Sequence, residues 1–365
     1  MYDTLIKNAK TIHDEIIEIG IINGKISKIS EKITEKAREE IDVQGLYVSA
    51  GWIDAHVHCF EKMTLYYDYP DEVGVKGGVT TVVDAGSTGE NNIKEFYQLA
   101  QKAKTNVYAL MNISKDGILK QNELADLSKV NIEKNMERLQ ELPEFIIGLK
   151  ARMSKTVVGE KGVKPLLLAK KLQRKVNLPL MVHIGTAPVD LEELFSYLET
   201  GDIVTHCFNG KDNGILDQTG NIKPFAKKAY KNGIHFDIGH GTDSFNFEVA
   251  RRAKKENIIA DSISTDIYLR NRKNGPVYSL AITMEKLLAI GYSLDEVLFR
   301  VTEAPADALK IKNKGQLKED FDADLTFFEL IKSEKYLMDS NGNKEQSHQK
   351  IIPRMAFIKG EKFDI

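Results

Sequence analysis

The sequence predicts an α/β fold, a (β/α)8 barrel accompanied by a small sheet domain built from both chain ends. Three observations carry this. Between residues 51 and 312 short apolar runs alternate with segments of helical spacing, the runs number eight, and the texture at the two ends is instead that of short alternating strands and turn residues. A doubly wound open sheet is the competing arrangement of the same central elements.

Each element has its own signal. From Leu5 to about Ile41, "TLIKNAKTI", "IIEIGIING" and "KISKIS" alternate apolar and polar residues and are broken by turn residues, which predicts small antiparallel strands with a hairpin at Asn23-Gly24. The eight central runs are "WIDAHVH", "VTTVVDAG", "NVYALMNIS", "EFIIGLKAR", "LPLMVHIG", "DIVTHCF", "GIHFDIG" and "DSISTDI". They spread over about 250 residues, the length such a barrel occupies. Helical spacing follows over 277–290 and 294–310. From Gly315 the strand texture returns in "DADLTFFEL" and "RMAFIKGEKFDI", separated by the polar turn "DSNGN". Chain termini often lie close together, so the two ends are expected to share one sheet beside the barrel.

Composition removes several functional classes. Of 365 residues, 42% are hydrophobic and 28% charged, and the net charge of -2 arises from 51 basic and 53 acidic residues interspersed along the chain. No broad field attracts nucleic acid or an anionic membrane. The opening "MYDTLIKNAK" holds no apolar signal core, and no stretch approaches the roughly 18 to 20 apolar residues that span a bilayer. A cytoplasmic protein acting on a small molecule is expected, with a homo-oligomer as the expected assembly. Cys59 and Cys207 are too few for a disulfide framework.

The notable polar residues fall at the C-terminal ends of the expected strands. Side chains two apart on a strand share a face, so His56 and His58 in "WIDAHVH" can converge on one ion while Val57 points into the packing. Barrel active sites lie at the C-terminal ends of the strands, which gathers His183, His206 and Asp266 at the same rim, with Lys150 closing the fourth strand. A lone histidine in an apolar strand is more often a hydrogen-bonded core residue than a ligand, and Asp266 in "STDIY" suits a helix N-cap. The coincidence of all of them at one rim favours a metal, because so many buried nitrogen and oxygen donors are costly to desolvate without a cation.

"GWIDAHVH", "GLK", "VHIG", "THCF", "STD" and the late "TEAPADALKI" and "GQLKEDFDADLTFF" resemble the amidohydrolase superfamily across essentially the whole chain. The resemblance implies a binuclear metal centre in a (β/α)8 barrel spanning 51–312 and a small β-sandwich made of 1–50 plus 313–365. It implies His56 and His58 on the first metal, His183 and His206 on the second, Lys150 between them as a carbamate, and Asp266 on the first metal and in catalysis. A lysine buried near positive charge loses its proton readily, and the neutral amine can take up carbon dioxide to give an anionic, two-oxygen bridge. A salt-bridged barrel lysine is the alternative. Two zinc ions are expected from the imidazole-rich set, while the oxygen donors would also accept manganese, iron or cobalt. Two ions sharing a water make a bridging hydroxide available near neutral pH, and Asp266 is placed to take its proton and deliver it to the departing nitrogen.

Substrate contacts are expected from Arg152, two residues beyond Lys150, whose guanidinium suits a carboxylate but could equally pair with an acidic residue in the next loop. Tyr268, Arg270 and His240 in "DIGHGTDSF" complete the expected set, while His235, His13 and His348 are expected to be structural. The chain departs from two related patterns. Dihydroorotases place an arginine two residues after the second histidine, and adenine deaminases of the superfamily a glutamate; Phe60 stands there, with Glu61 one residue later. The chain looks most like the deacetylase-type amidohydrolases. Hydrolysis of an amide in a small N-acyl carboxylate is therefore the leading expectation. Opening of a cyclic amide, deamination of an aminopurine and a non-catalytic scaffold are the alternatives.

Overall fold

The computed structural model describes residues 1–365. The N-terminal segment supplies β1 (Tyr2–Lys10), β2 (Ile16–Ile22), β3 (Lys25–Ser30), β4 (Ala37–Asp42) and β5 (Tyr47–Ala50). The expected hairpin lies between β2 and β3, where Asn23 and Gly24 take φ of 52° and 73°, the left-handed pair a two-residue turn demands. The C-terminal segment, beyond the seven central strands, supplies β13 (Leu325–Met338), β14 (Lys344–Ile358) and β15 (Glu361–Asp364). Both ends join one mixed sheet in the order β15-β14-β13-β5-β1-β2-β3, with β4 also paired to β1. Its apolar face buries Ile6, Ile19, Ile26, Leu325, Phe327 and Phe357 in a core of its own.

Between these ends run β6 (Trp52–Val57), β7 (Val79–Ala85), β8 (Asn106–Asn112), β9 (Ile146–Arg152), β10 (Leu180–His183), β11 (Ile203–Thr205) and β12 (His235–Asp237). They form a seven-stranded parallel sheet in strict sequence order, with helices in the connections. β6 and β7 are buried at every position, which explains why they read as apolar runs rather than alternating ones. The eighth expected strand, "DSISTDI", is not a regular strand. It makes one isolated bridge to each edge of the sheet, Ser262 to Asp237 and Ile267 to Val57. Asp266 has φ of 50°, which breaks the ladder, and the Thr265 N–H donates to the Asp54 carboxylate instead of to a neighbouring strand.

The helical stretch expected over 294–310 is two helices, Leu294–Phe299 and Glu303–Ala308. Pro305 has no N–H and its ring excludes the carbonyl of the residue four earlier. That carbonyl, on Val301, accepts instead from Ile53 N in β6 at 2.7 Å, and the Arg300 carbonyl accepts from Ile263 N at 2.9 Å. The break thus ties the helices to the starts of two site-bearing segments. Helix Leu280–Ala289 begins at its Ser279 N-cap, three residues later than the spacing suggests. No helix is long and apolar enough to cross a membrane.

Candidate metal centre

The C-terminal ends of the parallel strands surround a cavity of about 470 Å³, into which His56, His58, Lys150, His183, His206 and Asp266 all project. Nε2 of His58 and of His56 stand 3.1 and 3.4 Å from Oδ1 of Asp266. Those three residues offer donor atoms within 4.8 Å of one another, the spacing of a metal site. Asp266 caps no helix: the next one starts at Leu269, and the carboxylate faces the histidines.

The imidazoles are held by their other nitrogen. His56 Nδ1 lies 2.8 Å from Thr205 Oγ1, whose hydroxyl donates to Asp237 Oδ2 at 2.7 Å, so the ring must be the donor and Nε2 is left bare. Asp237 also accepts from Ser262 Oγ and Ser264 Oγ, which fixes the anion at the end of this chain. His206 Nδ1 donates to the Gly239 carbonyl at 2.5 Å, again leaving Nε2 bare. His58 Nδ1 is 2.8 Å from Ser87 Oγ. His183 differs, because its Nδ1 is buried with no hydrogen-bond partner. Its ring centre is 4.7 Å from that of His206. A buried, unpartnered nitrogen beside bare ones is a donor set that a cation would satisfy, so these residues fit a metal.

Charge states agree with that fit. Burial, reinforced by neighbouring positive charge, holds His56 and His183 well below the usual imidazole range. Burial likewise takes His206 down to about 4, against the pull of Asp266. Neutral imidazole is the form that binds metal. Burial raises the Asp266 carboxyl, but the hydrogen bond from His58 and the positive charge around it outweigh this and hold it below the usual carboxylate range. Lys150 is 1% exposed, its Nζ sits 3.2 Å from His56 Nε2, and no carboxylate pairs with it. Desolvation brings it down to about 7, though Asp266 and Asp237 oppose this. A glycine makes room for it: a Cβ on Gly86, whose φ is 88°, would lie 2.6 Å from Lys150 Cγ.

Residues 317–364 match the family model described as the deacetylase-like composite domain. The chain is 57% identical to a deacetylase of Enterococcus faecalis, over all of this chain and 99% of that one, and 35% identical to a deacetylase of Agrobacterium fabrum, over 93% of this chain and 84% of that one. It belongs to the deacetylase family of the amidohydrolase superfamily. Two solved structures of similar chains, described as an adenine deaminase and a dihydroorotase, superpose with TM-scores of 0.99 and 0.91, at 56% and 33% identity and at least 97% coverage of both chains. This family member is thus a hydrolase, with His56, His58 and Asp266 as its candidate metal site.

The remaining expectations divide. Arg152, Tyr268 and Arg270 line the cavity. Arg152 also makes the acidic pairing that the sequence left open, with Glu123 in the preceding loop rather than a later one. His240 is a correction: it is fully buried and absent from the cavity wall, because its Nδ1 donates to the Gly241 carbonyl and its Nε2 meets Lys286 Nζ at 2.8 Å. Cys59 and Cys207 are buried packing thiols that desolvation pushes well above the usual range. Phe60 packs on Phe96. Sequence reasoning missed Tyr66, Gln121, Lys211 and the stretch 242–244, all on loops, as well as the Thr205–Asp237 support. Only the last had a signal, a threonine directly before the histidine of "THCF" and a carboxylate closing "HFD" in a buried strand.

Proposed function

We propose that this deacetylase-family member hydrolyses the amide bond of a small N-acyl carboxylate at a binuclear centre, with His56, His58 and Asp266 on one ion, His183 and His206 on the other, and Lys150 between them as a carbamate. The observation that carries this is the buried Nδ1 of His183, which has no hydrogen-bond partner on a ring 4.7 Å from that of His206, together with three imidazoles whose own supports leave nitrogen bare or turned to Asp266. Lys150 supports its part of the reading by being fully buried beside His56 without an anionic partner, an arrangement costly for an ammonium. These residues would hold divalent ions, zinc or else manganese, iron or cobalt, which would supply polarisation of the scissile carbonyl and a water of near-neutral pKa. Asp266 accepts the proton of the attacking water on its carboxylate and returns it to the departing nitrogen. Arg152 anchors the substrate carboxylate, with Tyr268 and Arg270 lining the same cavity. The cavity wall carries Arg152, Lys211 and Arg270 besides Lys150, against two carboxylates, which suits an anion.

Two finer points of architecture belong to the same reading. Segment 262–267 bridges both edges of the parallel sheet and serves as the eighth stave of a closed barrel over 51–312. The mixed sheet folds at β1 into a sandwich of 1–50 plus 313–365.

A panel of N-acetyl amino acids, assayed with zinc or manganese, tests the reaction: acetate release supports it, and none across the panel refutes that substrate class. The likeness to a structure described as an adenine deaminase favours one second reading, aminopurine deamination. Ammonia release from adenine in the same assay would establish it.

A further inference from the structure

We propose that Glu123 and Gln121 are positioning residues that hold the Arg152 guanidinium in the cavity wall as a preorganised anchor, so that selectivity for a carboxylate-bearing substrate is built from the loop between β8 and helix Ile132–Glu141. The inference rests on the anion-anchor reading above and extends it to residues that touch no reacting atom.

Arg152 is the last residue of β9 and its side chain is 10% exposed. Its Nη2 donates to Gln121 Oε1 at 2.7 Å, and Gln121 in turn donates to the Tyr66 hydroxyl, so that side of the fork is committed. Its Nη1 lies 3.5 Å from Glu123 Oε1 and forms no hydrogen bond. Glu123 is 2% exposed, and neither of its carboxylate oxygens has a hydrogen-bond partner. A carboxylate in that position is costly unless a charge compensates it, and Arg152 is the cation paired with it. The pair is therefore a charge contact at a buried Nη1 rather than a hydrogen-bonded ion pair. Burial pushes the Glu123 carboxyl up to about 7 against the pull of Arg152 and the smaller opposing influence of its own backbone N–H and of Asn112. The loop is fixed independently, by the buried Leu124 and its N–H bond to Val157 O at 3.2 Å. A guanidinium held at Nη2 by Gln121 and faced at its buried Nη1 by Glu123, in the wall of the cavity, is preorganised for one anionic group, and preorganisation acts on binding rather than on the chemical step.

The test compares kcat/KM for an N-acetyl amino acid with that for the corresponding neutral N-acetyl amino acid amide, in the metal-loaded enzyme and in Arg152→Met, Glu123→Gln and Gln121→Ala. Glu123→Gln keeps the shape of the buried side chain, and Gln121→Ala removes a surface-proximal group, so at least one of them keeps the fold. The expected result is a preference for the carboxylate that Arg152→Met abolishes and that Glu123→Gln and Gln121→Ala each lower about tenfold, through KM with kcat little changed. If Arg152→Met abolishes the preference while both loop variants keep it, positioning by the loop is overturned and the anchor stands. If wild type shows no preference, or Arg152→Met retains it, the anchor reading falls and this inference with it. No turnover of either compound overturns both together.

Discussion

Asp266 Oδ1 lies 3.1 Å from His58 Nε2, and the pair meets across the seam where segment 262–267 bridges β6. The carboxylate reaches that place because its residue adopts φ of 50° and its N–H donates to the His56 carbonyl at 2.7 Å. A Cβ on Gly241 would lie 2.5 Å from Oδ2, so the loop after β12 is shaped around it. Asp266→Asn keeps the size and the backbone bond but cannot take a proton. Its kcat is expected to fall by about 10² or more, the usual contribution of a general acid–base, while metal content measured by elemental analysis persists. Near-normal turnover would refute the assigned role.

The His56–Thr205–Asp237 chain sets which nitrogen of His56 is free. Thr205→Val preserves shape and removes the hydroxyl, leaving the buried Nδ1–H without an acceptor. The expected cost is about 1–3 kcal/mol of stability and a metal affinity weaker by about 10- to 100-fold. Thermal melts and competition with a chelator measure the two separately. A variant that melts earlier yet binds metal as wild type does would reduce the chain to a packing feature.

Gly86 and Gly45 provide a matched pair. Both have positive φ, 88° and 81°, but a Cβ at Gly45 meets nothing within 4 Å whereas one at Gly86 meets the Lys150 stem. Gly45→Ala should therefore cost only the left-handed backbone term of about 1–2 kcal/mol. Gly86→Ala should cost more and displace Lys150 as well. Melting temperature and metal stoichiometry in the two variants check this, and equal behaviour would disprove a cradling role.

His235 supplies a pH dependence away from the metal site. Desolvation, with the charge of Arg300 behind it, lowers its pKa to about 4, and Nε2 lies 2.9 Å from Ser262 Oγ. In the unfolded chain the imidazole titrates near 6.5. Its folded value is depressed, so below that pH the unfolded state binds a proton the folded state refuses. The neutral ring's contribution is thus complete above about 6.5 and is lost as pH falls toward 4. Melts across that window should show a steeper decline in wild type than in His235→Gln, and identical slopes would show that another group sets it.

Much of the site could be seen in the chain itself. His56 and His58 sit two apart on a strand, and the "GLK", "VHIG" and "THCF" runs each put one polar residue at the end of an apolar segment, because a strand's period of two is a local property. The misjudged elements lack such local causes. The break after Phe299 depends on where the Val301 carbonyl can go once Pro305 releases it, and its acceptor role toward Ile53 links residues far apart in the chain. His240 shares the glycine-rich, polar context of a substrate loop. Its ring turns inward because Lys286 waits there, and the hydroxyl of Ser340, on the turn between β13 and β14, holds the same loop through the carbonyls of His240 and Gly241.

The sequence by itself determined the parallel strands, the pairing of the two chain ends in one sheet, and which side chains gather at the rim, since burial pattern and turn chemistry act over a few residues. Only the tertiary structure decided which nitrogen each imidazole keeps free, that segment 262–267 bridges both sheet edges without becoming a regular strand, and that Arg152 faces the cavity with Glu123 at its back. Those outcomes depend on hydrogen bonds and charge pairs between segments distant along the chain. Their partners are chosen by packing in three dimensions, which spacing in one dimension does not encode.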